Sequence, residues 1–133
     1  GRPTTYPTPT PQQLAAADAH RTNGNRLFKE GDYIEAHAQY DLAGNHNVTD
    51  PRIYSNRAAC LISLTLYEDA LKDAEQALEF DPAFVRAHAR KGTALAFLGK
   101  YTQAKAAFEQ GLQFDPKNQA CIDGAKNAAA SME

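Results

Sequence analysis

Apolar and small residues of the chain recur at a constant interval of 34 residues. The recurring sets are Tyr33, Tyr67 and Tyr101; Ala36, Ala70 and Ala104; Leu27, Leu61 and Leu95; and the small residues Gly24, Ala58 and Gly92. Pro82 and Pro116 close the second and third copies, whereas Val48 stands at this place in the first. A fixed period of this length predicts stacked supersecondary units in place of one mixed core.

Helical spacing between glycine and proline breaks predicts seven helices. They are expected at about 11–30, 33–43, 52–64, 67–79, 84–97, 101–113 and 117–131, with a turn over 44–50. We therefore predict an all-α fold, an α-solenoid of three helix-turn-helix repeats followed by a C-terminal capping helix. The repeats cover about 17–50, 51–84 and 85–118, and the capping helix covers about 117–131.

The first residues differ in composition from the rest of the chain. Residues 1–11 are rich in proline and threonine, which predicts a flexible tail or linker, and residues 12–133 are expected to form the domain. With 43% apolar residues among 133, there is enough material for one core. We expect the isolated domain to be monomeric.

Charge and cysteine content exclude several classes of function. The formal net charge of −2 argues against a nucleic-acid partner, and no apolar run approaches the length of a membrane span. Cys60 and Cys121 are single and far apart, so buried reduced thiols in a cytoplasmic protein are expected, and neither a disulfide nor a metal site. No histidine has a partner at metal-ligand spacing, and neither a metal nor another cofactor is expected.

The first helix of each repeat is expected to line a concave groove, with an inward stripe at helical spacing. The stripe consists of Asp18, Arg21, Thr22, Asn25, Phe28 and Lys29; Arg52, Ser55, Asn56, Ala59, Ile62 and Ser63; and Arg86, Ala89, Arg90, Thr93, Ala96 and Phe97. Five of these residues are basic and one is acidic, so the stripe carries +4 in a chain of −2. Such a basic groove in an acidic protein attracts an anionic partner.

The polar residues of the stripe suit carboxylates. Arg21 and Asn25 share one helix face, as do Arg86 and Arg90, and Asn56 is on the helix between them. Guanidinium groups bind carboxylates bidentately, and asparagine amides donate hydrogen bonds without adding charge. The predicted ligand is an extended peptide that ends in an acidic residue, with an apolar floor beneath its upstream side chains.

The repeat pattern resembles the tetratricopeptide repeat over roughly residues 17–131. Arg21, Asn25, Asn56, Arg86 and Arg90 match the five positions of the two-carboxylate clamp of chaperone-binding tetratricopeptide domains, where the usual residues are Lys, Asn, Asn, Lys and Arg. The runs 54–60 and 90–95 are most similar to modules of the Hsp-organising (stress-inducible phosphoprotein) co-chaperone family. This resemblance implies binding of the Glu-Glu-Val-Asp tail of a cytosolic heat shock chaperone, with the seventy-kilodalton class slightly favoured over the ninety-kilodalton class.

Other residues receive weaker assignments. Secondary contacts in the groove are expected from Phe28, Lys29, Ala59, Ile62, Ser63 and Thr93, whereas Arg52 is expected at the rim. His20 and His88 replace the aromatic residue usual at their repeat position, so packing between helices is expected of them. Asp73, on a second helix, is expected on the solvated outer face.

No residue has the setting of a catalytic nucleophile or base, so a non-enzymatic adaptor module is predicted. The alternatives are a tetratricopeptide scaffold for another peptide motif, the targeting domain of a larger phosphatase, prolyl isomerase or ubiquitin ligase, and an import receptor.

Overall fold

The computed structural model describes residues 5–132 of the chain, which contain seven α-helices and no strand. The helices are α1 (Pro11–Lys29), α2 (Tyr33–His46), α3 (Pro51–Ser63), α4 (Tyr67–Phe80), α5 (Val85–Phe97), α6 (Tyr101–Phe114) and α7 (Gln119–Ser131). Each helix packs on the next, and α3 and α5 also contact each other, as do α5 and α7. The prediction of an all-α solenoid is confirmed. None of the described helices combines the length and apolar character needed to cross a bilayer.

Two helix ends differ from the prediction. Helix α2 continues past Gly44 to His46, where a turn was expected, because tertiary packing outweighs the low helix propensity of glycine. Ala43 in this last turn is buried, and the ring of His46 stacks on His20 at 5.8 Å. Helix α7 begins two residues later than expected because Asn118 caps it, accepting a hydrogen bond from the Cys121 amide at 3.0 Å.

Helix pairs approach closely where a small residue of the first helix meets the second helix. A Cβ atom added to Gly24 would lie 2.7 Å from the Tyr40 ring, and one added to Gly92 would lie 2.6 Å from the Phe108 ring. In the middle repeat the same two positions hold Ala58 and Ala74, both fully buried. Glycine opposite a ring and alanine opposite alanine fill the same space, so the repeats share one geometry with different side chains.

Aromatic side chains close the other side of each helix pair. His20, Tyr54 and His88 stand at one repeat position, and each ring packs on the last turn of the following helix, against His46, Phe80 and Phe114 respectively. The Nε2 atom of His88 lies 2.8 Å from the Pro82 carbonyl oxygen, and the Tyr54 hydroxyl donates to the Val48 carbonyl at 2.6 Å. The two histidines therefore pack between helices, as predicted.

The described part of the N-terminal segment contacts the second repeat. Residues 5–10 form no regular helix, but the Tyr6 ring meets the edge of Phe80 at 5.4 Å. Thr10 then caps α1 in a reciprocal capping box with Gln13. The rest of the predicted flexible tail, residues 1–4, lies outside the described residues.

Asp73 contradicts the prediction of a solvated position. Its side chain is buried, and the Arg57 guanidinium donates to both of its carboxylate oxygens at 2.8 Å. Arg57 also donates to Asp41 at 2.8 Å, so one guanidinium joins α2, α3 and α4. These ion pairs raise the pKa of Arg57, chiefly through the hydrogen bonds to Asp73. The interaction was missed because the partners lie on three different helices.

The close approach at Gly92 yields a stability prediction. We expect Gly92→Ala to lower the free energy of unfolding by about 1–3 kcal/mol, because the new methyl group overlaps the buried Phe108 ring. Gly44→Ala is the matched control, since its Cβ would lie 3.7 Å from the Ile53 Cγ2 atom, an ordinary contact. The control should gain up to about 1 kcal/mol from helix propensity. Chemical denaturation measures both variants, and equal effects would contradict the packing argument.

Candidate peptide-binding groove

Four of the five residues predicted to bind carboxylates line one cavity of about 210 Å³. Asn25 comes from α1, Asn56 from α3, and Arg86 and Arg90 from successive turns of α5. The remaining lining residues are Phe28, Lys29, Tyr40 and Ala59. The stacking of three first helices therefore brings together side chains that are up to 65 residues apart in the sequence.

Arg21 lies beside this cavity, one helical turn before Asn25. Its side chain is 20% exposed, and its Nη2 atom is 3.6 Å from an oxygen of Asp18, which is largely exposed. The positive charges of Arg21, Arg86 and Arg90 each act to lower the pKa of the Tyr40 phenol. Burial dominates over these charges and, together with Cys60, raises the pKa of Tyr40 to about 12.

A relay of hydrogen bonds orders the two asparagine amides. The Tyr40 hydroxyl donates to Asn25 Oδ1 at 2.7 Å, and Asn56 Nδ2 donates to the same oxygen at 3.2 Å. Arg86 Nη1 donates to Asn56 Oδ1 at 3.4 Å. Both amide oxygens thus accept bonds from the protein, which leaves the Asn25 amide hydrogens and one Asn56 amide hydrogen available for a ligand.

The arginines of the cavity have no anionic partner in the described chain. Within residues 5–132 no carboxylate comes within 4.0 Å of Arg86 or Arg90, whereas Arg26, Arg52 and Arg57 each form an ion pair. The Nε atoms of Arg21 and Arg90 are buried, and neither has a hydrogen-bond partner among the described residues. Burial, followed by repulsion from Arg86, lowers the pKa of Arg90. An unpaired buried cation is costly, and an incoming carboxylate would relieve this cost.

The residues predicted as secondary contacts divide into two groups. Phe28, Lys29 and Ala59 line the cavity with the asparagines. Ile62 packs instead on the buried cluster around Leu61, and Ser63 is exposed at the end of α3. Thr93 donates to the Ala89 carbonyl at 2.9 Å and faces a second hollow, which it shares with Phe97, Tyr101 and residues of α7.

Arg52, which was expected at the rim, does not line the cavity and pairs with acidic neighbours. Its Nη2 atom pairs with Asp50 at 2.7 Å and lies 3.9 Å from Asp18. The hydrogen bond to Asp50 is the main cause of its raised pKa. Because Asp50 also caps α3 through the Arg52 amide, this arginine serves the start of the helix.

Tyr40 is the cavity residue that the sequence analysis missed. It lies on α2, a second helix, and its side chain is 2% exposed, so the repeat pattern places it in the core. The signal that could have identified it is its hydroxyl group, since a buried tyrosine requires a hydrogen-bond partner and Phe108 fills the equivalent position without one.

Within residues 5–132 no cluster of three histidine, cysteine or acidic side chains has the geometry of a metal site. Cys60 and Cys121 are both buried free thiols. What the groove offers chemically is a set of fixed hydrogen-bond donors and positive charges above an apolar floor. This arrangement is chemically suited to an anion such as a carboxylate.

Comparison with known proteins defines the class. Residues 51–84 and 85–118, together half of the chain, match the family model of the tetratricopeptide repeat. The chain therefore belongs to the tetratricopeptide repeat family, whose co-chaperone adaptor domains are non-enzymatic protein-binding modules.

Individual related proteins point to a narrower group within this family. The Hsp70-Hsp90 organizing protein of Triticum aestivum is 42% identical over 116 residues, which cover 87% of this chain and 20% of that protein. The chain thus spans about a fifth of the length of the curated relatives it matches first.

Two solved structures have the same fold and hold peptides. The first TPR of Spaghetti (RPAP3), bound to HSP90 peptide SRMEEVD, is 25% identical with a TM-score of 0.86, and the match covers 90% of this chain and 94% of that one. The second TPR domain of human RPAP3, in complex with HSP70 peptide SGPTIEEVD, is 32% identical with a TM-score of 0.80, covering 89% and 96%. Both peptides end in Glu-Glu-Val-Asp.

The buried groups beneath the groove yield a prediction on alkaline stability. Burial raises the pKa of Cys60 from 9.0 to about 12 and that of Tyr40 from 10.0 to about 12. Because the folded state holds both protons more tightly than the unfolded state, this stabilisation is complete below about pH 9 and is lost as the pH rises toward 12. We expect Cys60→Ala to reduce the decline in unfolding free energy between pH 9 and pH 12.

Urea denaturation at several pH values measures this effect. The difference between wild type and Cys60→Ala at pH 7 reports packing alone, because the thiol is neutral there in both states. A difference that stays constant from pH 7 to pH 12 would contradict the assigned burial of the Cys60 proton.

Proposed function

We propose that this domain is a co-chaperone adaptor that binds the C-terminal Glu-Glu-Val-Asp tail of a cytosolic heat shock chaperone. The observation that carries the proposal is the pair of guanidinium groups, Arg86 and Arg90, that share a cavity with Asn25 and Asn56 and have no carboxylate partner in the described chain. The related domains that hold HSP70 and HSP90 peptides with this ending support it.

A C-terminal aspartate brings two carboxylates to one place, its main-chain terminus and its side chain. The proposed clamp binds both carboxylates. Its charged donors are Arg21, Arg86 and Arg90, and its neutral donors are Asn25 and Asn56. Arginine can grip a carboxylate through two parallel hydrogen bonds, which fixes orientation as well as position. An internal acidic residue would present a single carboxylate and leave part of this donor set unused.

The upstream residues of the tail would pass over the less polar part of the groove. Phe28 and Ala59 form its floor next to the clamp, and Lys29 adds a positive charge there. We assign Ile62, Ser63 and Thr93 to contacts further along the first helices. These contacts favour an extended peptide, because side chains alternate along it between floor and solvent.

The energies involved predict moderate affinity. A hydrogen bond to a charged group contributes about 1.5–3 kcal/mol, but ordering a flexible tail consumes part of the total. A micromolar Kd, about −8 kcal/mol, is therefore expected. The similarity to Hsp-organising modules favours the seventy-kilodalton chaperone over the ninety-kilodalton one. We also propose that the protein is cytoplasmic and that the isolated domain is monomeric.

Replacing Arg90 tests the clamp. We expect Arg90→Met to weaken binding of the peptide SGPTIEEVD by about 10- to 150-fold, the loss of one charge-assisted interaction. The peptide-free variant should be as stable as wild type or more stable, because the substitution removes a half-buried cation whose Nε atom has no partner among the described residues. Isothermal titration calorimetry and thermal unfolding measure the two effects.

Lys91→Met is the matched control for this experiment. It removes the same charge from the next residue of α5, but Lys91 pairs with Glu75 at 3.7 Å and does not line the cavity that holds Asn25 and Asn56. Its peptide affinity should stay within about twofold of wild type, since surface ion pairs contribute little. Equal affinities for Arg90→Met and wild type would refute the clamp.

The terminal carboxylate itself gives a second test. We expect amidation of the last residue to weaken SGPTIEEVD and SRMEEVD alike by at least about tenfold, because one of the two carboxylates is lost. A groove for an internal motif would bind the free and amidated peptides equally, and that result would favour the alternative scaffold function. Titration of the two free peptides in parallel determines the preferred chaperone class, with tighter binding of SGPTIEEVD expected.

A further inference from the structure

Tyr40 lies beneath the groove, where its hydroxyl donates to Asn25 Oδ1 at 2.7 Å. We infer that Tyr40 is a positioning residue of the peptide site, whose hydroxyl holds the Asn25 amide with its two N–H donors directed at the ligand. This inference rests on the proposed function and adds a residue of α2 to a site otherwise built from first helices. Tyr40 itself is 2% exposed and lies below the clamp groups.

The direction of the relay follows from its two ends. Arg86 can only donate, so the Asn56 atom that faces it is the oxygen, and Asn56 Nδ2 then faces Asn25. The Asn25 atom between Asn56 Nδ2 and the phenol must be its oxygen, and the phenol must donate to it. The phenol is protonated at neutral pH already at its ordinary pKa of 10.0, which burial raises to about 12.

The two ends of the relay are not equally firm. The bond from Arg86 to Asn56 is the longest at 3.4 Å, and Arg86 is exposed, so an Arg86 that turns onto a peptide carboxylate gives it up. The bond from Tyr40 is short and part-buried, and Tyr40 is too enclosed to turn toward a ligand, so we expect this bond to persist when the groove is filled. Tyr40 is therefore the fixed end that keeps Asn25 in its donating orientation while the ligand is bound.

Packing does not require the hydroxyl. The Tyr40 ring fits against Gly24 as the Phe108 ring fits against Gly92, and Ala74 occupies the equivalent place in the middle repeat. A phenylalanine thus already fills this position elsewhere in the chain. Only the first repeat, which carries Asn25, has a hydroxyl there.

The test is Tyr40→Phe, which keeps the ring and removes one donor. We expect the Kd for SGPTIEEVD, measured by calorimetry, to rise about three- to tenfold, with an unchanged helical circular dichroism spectrum. In an Asn25→Ala background the same substitution should leave the Kd unchanged, because the group that it positions is absent. The NMR signals of the Asn25 side-chain amide, assigned with Asn25→Ala, should broaden or shift in Tyr40→Phe.

Tyr54→Phe is the matched control. It removes a phenol hydrogen bond of similar length, to the Val48 carbonyl at 2.6 Å, outside the groove. It should leave the peptide Kd and the Asn25 amide signals unchanged. A Tyr40→Phe affinity equal to wild type, or the same loss with and without Asn25, would overturn the inference.

These outcomes are separable from failure of the proposed function. If Arg90→Met loses affinity while Tyr40→Phe does not, the clamp stands and the positioning role is refuted. If wild type does not bind the peptide, or Arg90→Met binds it equally, both are refuted.

Discussion

The close contact between Gly24 and the Tyr40 ring is the constraint on which much of the first repeat depends. Without a side chain on Gly24, α1 and α2 approach until the ring fills the gap between them. The same approach brings the phenol to within 2.7 Å of Asn25, one residue further along α1. A packing requirement and a binding group are thus adjacent in sequence, and a change in helix spacing would alter both.

Charge is used differently on the two sides of α3. On one side Arg57 pairs with Asp41 and Asp73 and holds three helices together. On the groove side Arg86 and Arg90 share a cavity with two asparagines, and Arg86 donates to one of them, Asn56, which leaves the positive charges unneutralised. Acidic partners for Arg86 and Arg90 would stabilise the folded domain. Neutral amides in their place forgo this stabilisation, as is expected where the arginines serve a binding site.

Much of this arrangement could be predicted from the 34-residue period, because helical repeats set both the helix bounds and the face that each residue presents. The period predicts that Asn25, Asn56, Arg86 and Arg90 face one groove, and the structure shows all four lining one cavity. It failed for Asp73, where a partner from another helix decides burial, and for the end of α2, where tertiary packing carries the helix past a glycine. It also missed Tyr40, because periodicity distinguishes inside from outside but does not say what a buried hydroxyl bonds to.

Arginine at residue 86, where clamp domains usually have lysine, has a physical consequence. In the free domain its guanidinium lies 5.5 Å from the centre of the Phe84 ring and donates to Asn56 through a long bond of 3.4 Å. A lysine ammonium is a compact, strongly hydrated charge on a flexible stem and lacks this fork geometry. The Arg86 guanidinium can leave this bond and turn its fork onto a carboxylate, which a lysine ammonium cannot grip in the same bidentate way. Charge and amide orientation are therefore supplied separately, since Arg86 can turn to the ligand while Tyr40 holds the Asn25 amide.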